Sequence, residues 1–415
     1  MRALIGESWL FASFSIAAVG LLANSQVMLA LAVLLFGTGA VSRLWARLAL
    51  EEVTYDRTLS STRAFVGEVI GVRLGLRNAK IVPVPWIEVR EQVPRDLPIE
   101  GARVLPSGIP RVSFITRNTS LGNHERLEWP IELHPDQRGY YRLGPARLRS
   151  GDLFGFFERE RTVRRIDSIV VYPQTFSLAE LGFPSARPFG EHRGGNRIFE
   201  DPSRVVGVRD YLPGDPLKRV DWNATARVGR LQSRLYEPSR TQATIVALNI
   251  TTMERSWQGF VPERLERGVS VAASIARHVA EAGDAVGLVA NGSFPDADRP
   301  IRIGASSHPE QLLRLLEALA VIAPFTTSAL AGELESRQHA LPVGASVVVV
   351  AALMPADLAA TLRRLRSEGH NVYVVKTSDI PWEQPLGPIP VHDVEPYVRD
   401  LEVRRPPEGM LEATP

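Results

Sequence analysis

Asn249, Thr251 and Met253 stand at alternate positions as the apolar run TIVALNI gives way to TTME. Acidic and hydroxyl side chains gathered at a strand end could supply the hard oxygen ligands that Mg²⁺ demands near octahedral positions. Here the set is a neutral amide, a hydroxyl and a thioether, poor company for a hard ion. A second apolar run, VVVVAALMP, leads into Ala351 and Ala352 and offers no carboxylate before Asp357, while Asp284 precedes its strand, at the opposite edge. The pattern predicts the outline of an ion site without its donors. No cofactor is implied, and Mg²⁺ would find few ligands.

Other chemistry is sparse. The chain has no cysteine, which excludes disulfides, thiolate metal sites and cysteine nucleophiles. Its eight histidines form no His-x-x-x-His pair, and no Gly-x-Ser-x-Gly elbow occurs. Gly194-Gly195 lacks the Lys and hydroxyl of a phosphate-binding loop. Glu51-Glu52 and Asp296/Asp298 read as solvated charges, and His278 as a helix residue.

The richest stretch is RDYLPGDPLKRVDWNATAR, residues 209–227. Pro213-Gly214-Asp215 has turn chemistry, with Asp215 placed to hold neighbouring amides. Asp221 is expected to accept from Arg219 or Arg227, and Trp222 to plug the seam between this segment and a sheet. One reading is a packed crossing between domains. The other is a docking surface presented by Arg209, Arg219 and Arg227, since Arg is enriched at interface hot spots.

The elements around these residues follow from hydrophobic period. From about residue 241, apolar runs alternate with helical stripes such as PERLERGVSVAASIARHVAEAG, which argues a doubly wound α/β sheet with its ligand edge at the strands' carboxyl ends. Residues 51–180 carry short alternating runs broken by Gly, Pro and Asn, as in an all-β sandwich of immunoglobulin-like architecture. Residues 181–204 read as a linker and 404–415 as a disordered tail, leaving 205–403 for the 209–227 stretch and the α/β domain.

The first 47 residues differ from all of this. Two apolar runs, Ala3 to Ala23 and Val27 to Val41, flank Asn24-Ser25-Gln26 and predict a transmembrane helical hairpin. Arg2 lies at one end and Arg43 and Arg47 at the other, so the positive-inside rule places both ends, and everything after residue 47, in the cytoplasm. The expected place is the inner membrane, crossed twice. A net charge of +2 on 415 residues gives no case for nucleic acid.

The 209–227 stretch resembles the signature of the domain of unknown function 58 family, Arg-x-Tyr-x-x-Gly-Asp followed by an Asp/His-Trp pair and Ala-Arg. The matching residues are Arg209, Tyr211, Gly214, Asp215, Asp221, Trp222, Ala226 and Arg227. RGYYRLGPARLRSGDLFGFF is similar to the family's Asp-Pro-Phe-Gly segment with Leu153 in place of Pro, and VVYPQ follows in order. The likeness runs over nearly the whole chain. It implies a C-terminal von Willebrand factor A-like domain, whose ion-binding members carry Asp-x-Ser-x-Ser where this chain has Asn249, Thr251 and Met253. It also implies a partnership with a MoxR-type AAA+ ATPase, beside transglutaminase-like or other membrane proteins.

The function expected is therefore a non-enzymatic, membrane-anchored adaptor that recruits such an ATPase for assembly or remodelling of client proteins. Two alternatives stand beside it: a metal-dependent binding domain using the degenerate site, and a membrane-bound hydrolase with an unfamiliar constellation.

Overall fold

The structure is a computed structural model describing residues 2–184, 200–212, 215, 217–238, 243–254, 259–294, 297–336, 341 and 344–404. The chain divides into two compact units after Tyr172.

The first unit begins with helices α1 (Arg2–Leu22) and α2 (Gln26–Leu48), which pack along each other. The polar break between the apolar runs separates them. Asn24 takes φ 49°, a left-handed value that asparagine tolerates, and Ser25 caps α2 by accepting from the Met28 amide. Gly39 lets the Trp9 ring lie against α2, where any Cβ would meet it at 2.2 Å. Trp9 also touches Phe36, with ring centroids 5.8 Å apart. Among the described residues, α2 is the helix long and apolar enough to cross a membrane.

The rest of this unit is twelve strands: β1 (Val53–Leu59), β2 (Arg63–Phe65), β3 (Ile70–Asn78), β4 (Val84–Pro94), β5 (Ile99–Glu100), β6 (Val104–Pro106), β7 (Val112–Leu121), β8 (Arg126–Leu133), β9 (Gly139–Leu143), β10 (Ala146–Gly151), β11 (Glu158–Val163) and β12 (Asp167–Tyr172). They form sheets ordered β1-β3-β8-β5, β11-β10-β4-β7-β6 and β2-β12-β9. Alternating residues such as Val72, Leu74 and Leu76 from β3 meet Ile87, Val89, Leu148 and Ile169 in one shared core. That core also holds ions. Arg57, 3 % exposed, pairs with Glu91 and lies 2.9 Å from Asp167, while the Tyr55 hydroxyl donates to Glu91 at 2.8 Å. Burial raises the Glu91 carboxyl, with Arg57 opposing the shift, and burial likewise pushes the Tyr55 hydroxyl up.

The carboxyl end of α2 is tied into these strands. Lys80 donates to the carbonyls of Ala49 and Glu51 at 2.8 and 2.7 Å, and Arg161 to those of Leu50 (3.0 Å) and Val53. These carbonyls belong to the C-cap Ala49 and the residues just after it, where the cations also face the negative end of the helix dipole. Burial lowers the affinity of both cations for their protons.

The second unit opens with residues 175–183 lying on the α/β layers. The Phe176 amide donates to Ser274 Oγ at 2.9 Å, and Leu181 is fully buried. Of the 181–204 stretch, residues 185–199, including Gly194-Gly195, lie outside the described residues, as does 405–415. Next come β13 (Glu200–Asp210), α3 (Trp222–Val228) and β14 (Gln232–Pro238), with β13 and β14 pairing as an antiparallel ribbon.

The α/β layers follow: β15 (Ala243–Asn249), α4 (Pro262–Glu281), β16 (Ala285–Phe294), β17 (Ala297–Ser306), α5 (Gln311–Val321), α6 (Leu330–Ser336), β18 (Ser346–Ala351), α7 (Ala356–Ser367), β19 (Asn371–Lys376), β20 (Val391–Asp393) and α8 (Glu395–Arg404). The sheet order is β17-β16-β15-β18-β19-β20, parallel except for β17. Ile245, Ala247, Val347 and Val349 share a core with α6 and α7. The alternate residues, such as Leu248, turn to the other face, where α4 packs with Gly268 beside Leu248. Helices on both faces make the strands continuous apolar runs. They also leave the carboxyl edge open for side chains.

Candidate functional site

Asn249 ends β15 at that edge and is 5 % exposed. Its amide nitrogen donates to the Leu353 carbonyl beyond β18 at 3.2 Å. Its oxygen accepts from the Thr251 amide at 3.2 Å and from Asn291 Nδ2 at 3.1 Å. Asn291, 1 % exposed, lies on β16 and accepts in turn from the Ile250 amide at 2.9 Å. The same Asn291 nitrogen reaches Thr251 Oγ1 at 3.3 Å. Two asparagines thus stitch the ends of three neighbouring strands together.

Thr252 Oγ1 accepts from the Val261 amide at 2.9 Å, starting α4. Ser378 Oγ and Trp382 Nε1 both donate to the Ala352 carbonyl, at 2.5 and 3.1 Å. These bonds give the ends of β15 and β18 neutral partners. A dication does not fit this set. The Asn249 oxygen is already shared by two donors, Thr251 Oγ1 by one, and Asp379 lies 3.6 Å from Arg264. Met253 is half-buried and Glu254 exposed. Sequence pattern brought out Asn249 and Thr251, which the fold unites, but missed Asn291, the residue that joins them. Its signal was a lone amide inside the apolar strand GLVANGSF, since a buried polar group needs a partner. Elsewhere, Glu100, Glu132 and His134 converge on the first unit, with both carboxylates exposed.

The second candidate is the loop of the β13–β14 ribbon. Arg209 grips Asp215 with both terminal nitrogens at 2.8 Å. Asp215 also accepts from the Leu212 amide at 3.1 Å, and Tyr211 OH donates to its carbonyl at 2.9 Å. The Arg209 guanidinium, first, and the Leu212 amide hold the Asp215 carboxyl below the usual carboxylate range. The expected turn role of Asp215 is present, while Pro213 and Gly214 lie outside the described residues.

Asp221 does something else than expected. Its Oδ1 accepts from the amides of Asn223 and Ala224 at 3.0 Å, capping α3, and its Oδ2 accepts from Arg234 at 3.1 Å rather than from Arg219 or Arg227. The Ala224 amide, then Arg234, lower its carboxyl. Gly229 closes the helix at φ 73°, with its amide bonded to the Thr225 carbonyl at 2.8 Å. A capping aspartate and a left-handed glycine bracket α3 at both ends. The Thr225 hydroxyl accepts from the Gln232 amide at 3.0 Å and moors the helix to β14.

Trp222 is 66 % exposed and plugs no seam. Following directly on the cap, it is carried on a helix whose inward positions are taken by Ala224 and Thr225. Ala226, Arg227 and Arg230 are exposed, as are Val228 and Leu231 at 52 % and 43 %, while Arg219 is half-buried. The arrangement can bind a surface. Among the described residues it places no nucleophile beside a base.

Residues 207–405 match the family model described as Protein of unknown function DUF58. The DUF58 match starts within β13, so the ribbon and the α/β layers are matched together. The chain is also 27 % identical over 269 residues, 63 % of its length, to the uncharacterized protein YeaD of Bacillus subtilis (strain 168), of which the match spans 61 %. Among solved structures, a cohesin module of a Clostridium perfringens family 33 glycoside hydrolase aligns with 29 % of the chain and 97 % of its own, at 14 % identity and TM-score 0.21. A CARDB domain from Pyrococcus furiosus covers 29 % and 91 %, at 18 % identity and TM-score 0.20.

Proposed function

We propose that this chain is a non-enzymatic adaptor, anchored in the cytoplasmic membrane, whose α/β unit binds a MoxR-type AAA+ ATPase for assembly or remodelling of client proteins. One observation carries the reading: in the ribbon loop, Arg209, Asp215 and Asp221 are spent on internal bonds that frame a capped helix, and that frame holds Trp222 and Arg227 in solvent. Aromatic and arginine side chains on a rigid support make interface hot spots. The amide stitch at the carboxyl edge agrees with contact by shape rather than through an ion.

A strand order with one antiparallel strand at its edge supports an A-type domain, and the expected Asn249 departure belongs to the same reading. The helix pair α1 and α2 is the anchor, a hairpin with both ends cytoplasmic, because Arg43 and Arg47 follow the apolar part of α2.

Co-purification from detergent with a MoxR-type ATPase, at low salt with nucleotide, tests the proposal. Trp222→Ala and Arg227→Glu should each weaken the complex roughly 10- to 30-fold, the scale of one hot-spot truncation. Failure of the unaltered chain to retain any such ATPase removes the adaptor reading.

A further inference from the structure

The turn between β10 and β11 displays three large apolar side chains: Leu153 is 68 % exposed, and Phe154 and Phe156 are each 62 % exposed. The turn is not slack. Asp152, 1 % exposed, accepts from the amides of Phe154 and Phe157 at 3.0 and 2.7 Å. Trp86 Nε1 donates to the Asp152 carbonyl at 2.9 Å, and the rings of Phe154 and Phe156 stack with centroids 5.7 Å apart. At Gly151 a Cβ would meet the Phe157 carbonyl at 2.1 Å, so the strands close tightly beneath the tip.

The neighbour of this tip is the helix pair. The Phe157 ring stands edge-on to Trp9 with centroids 6.2 Å apart, and Trp9 rests on Gly39 and Phe36 of α2. Gly39 lies nine residues before Leu48, so the Phe157 contact is roughly 14 Å along the helix from the sandwich. That is close to the apolar side of Arg43. α2 packs beside β10 and β11, and the ring contacts Phe157–Trp9 and Trp9–Phe36 join the base of the tip to helices whose Phe11, Phe14, Val33, Leu34 and Phe36 are exposed.

We infer that the Asp152–Phe157 turn is a third membrane contact, with Leu153, Phe154 and Phe156 immersed in the lipid interface beside α1 and α2. The inference rests on the reading of α2 as a membrane helix. Phospholipid is the occupant because the turn is joined to α2 through the Phe157–Trp9–Phe36 ring contacts, and aromatic side chains favour the headgroup level of a bilayer. A framed tip also meets the bilayer without an ordering cost.

The absence of native cysteine permits the test. Full-length chains carrying Phe156→Cys or Phe154→Cys, each labelled with a nitrobenzoxadiazole probe, are reconstituted into phosphatidylcholine–phosphatidylglycerol vesicles containing nitroxide-labelled acyl chains. Val33→Cys on α2 reports the membrane helix, and Ser367→Cys, exposed on α7, reports solvent. The expected result is blue-shifted emission lost to quenching at 154 and 156 as fully as at 33, with the probe at 367 unaffected. Quenching at 33 with solvent-like emission at both tip positions overturns the inference and leaves the anchor standing. This second outcome is also the one expected if the tip docks on protein. Absence of quenching at 33 overturns the anchor and the inference together.

Discussion

Asn291 serves three partners with one side chain, accepting from the Ile250 amide and donating to Asn249 and Thr251. Asn291→Ala leaves that buried amide without an acceptor, a loss worth about 1–3 kcal/mol. The expected outcome is a lower urea midpoint in detergent with an unchanged slope. Calorimetric titration of the unaltered chain with Mg²⁺ should give no heat of binding, because the edge oxygens are already engaged. At this scale the residue pattern was half legible. The Asn249–Thr251 spacing pointed to the right edge, but Asn291 lies 42 residues further on, and only folding brings the two amides within bonding distance.

The ribbon loop depends on two carboxylates, Asp215 and Asp221, both held below the usual carboxylate range by amides and arginines. A depressed folded-state pKa contributes stability that is full above the unfolded value, about 4, and is lost as pH falls through the folded value. Hydrogen exchange at the Asn223 and Ala224 amides should therefore be slow and level near neutrality, once corrected for the intrinsic pH dependence of exchange. Protection is expected to collapse below about pH 4. Protection that is unchanged in Asp221→Ala would mean that Asp221 is not what caps α3. The helix itself was readable. Asp221 before Trp-Asn-Ala-Thr-Ala-Arg and Gly229 after it are start and stop signals, yet the turn residues upstream drew the reading toward a crossing between domains. Trp222 was misjudged by the rule that large aromatics seek cover. A seven-residue helix moored through Thr225 has no room to hide its first residue.

The chain holds a unit of β-sheets preceded by two helices, and an α/β unit, and strands and helices were legible because their hydrophobic periods, 2 and 3.6, differ so clearly. The α1–α2 break was equally plain, since Asn24-Ser25-Gln26 interrupts the apolar runs with cap and turn residues. The β13–β14 ribbon was not legible, because its strands alternate charge with few apolar residues. The anchor reading predicts that the chain stays with membranes through alkaline carbonate washing. Replacing Leu31 and Leu34, both exposed on α2, by arginine should release it, each substitution costing about 2.5–3.5 kcal/mol at a helix centre.

Lys80 and Arg161 grip the carbonyls of Ala49, Leu50, Glu51 and Val53, the residues that lead from α2 into the first strand, and so fasten the base of that helix to the strands. In a bilayer, the lean of α2 and the attitude of the twelve-stranded body would then be a single mechanical variable. If α2 is the proposed anchor, a thinner membrane that tips this stalk would turn the body with it like the head of a nail, and lipid thickness would set the body's attitude.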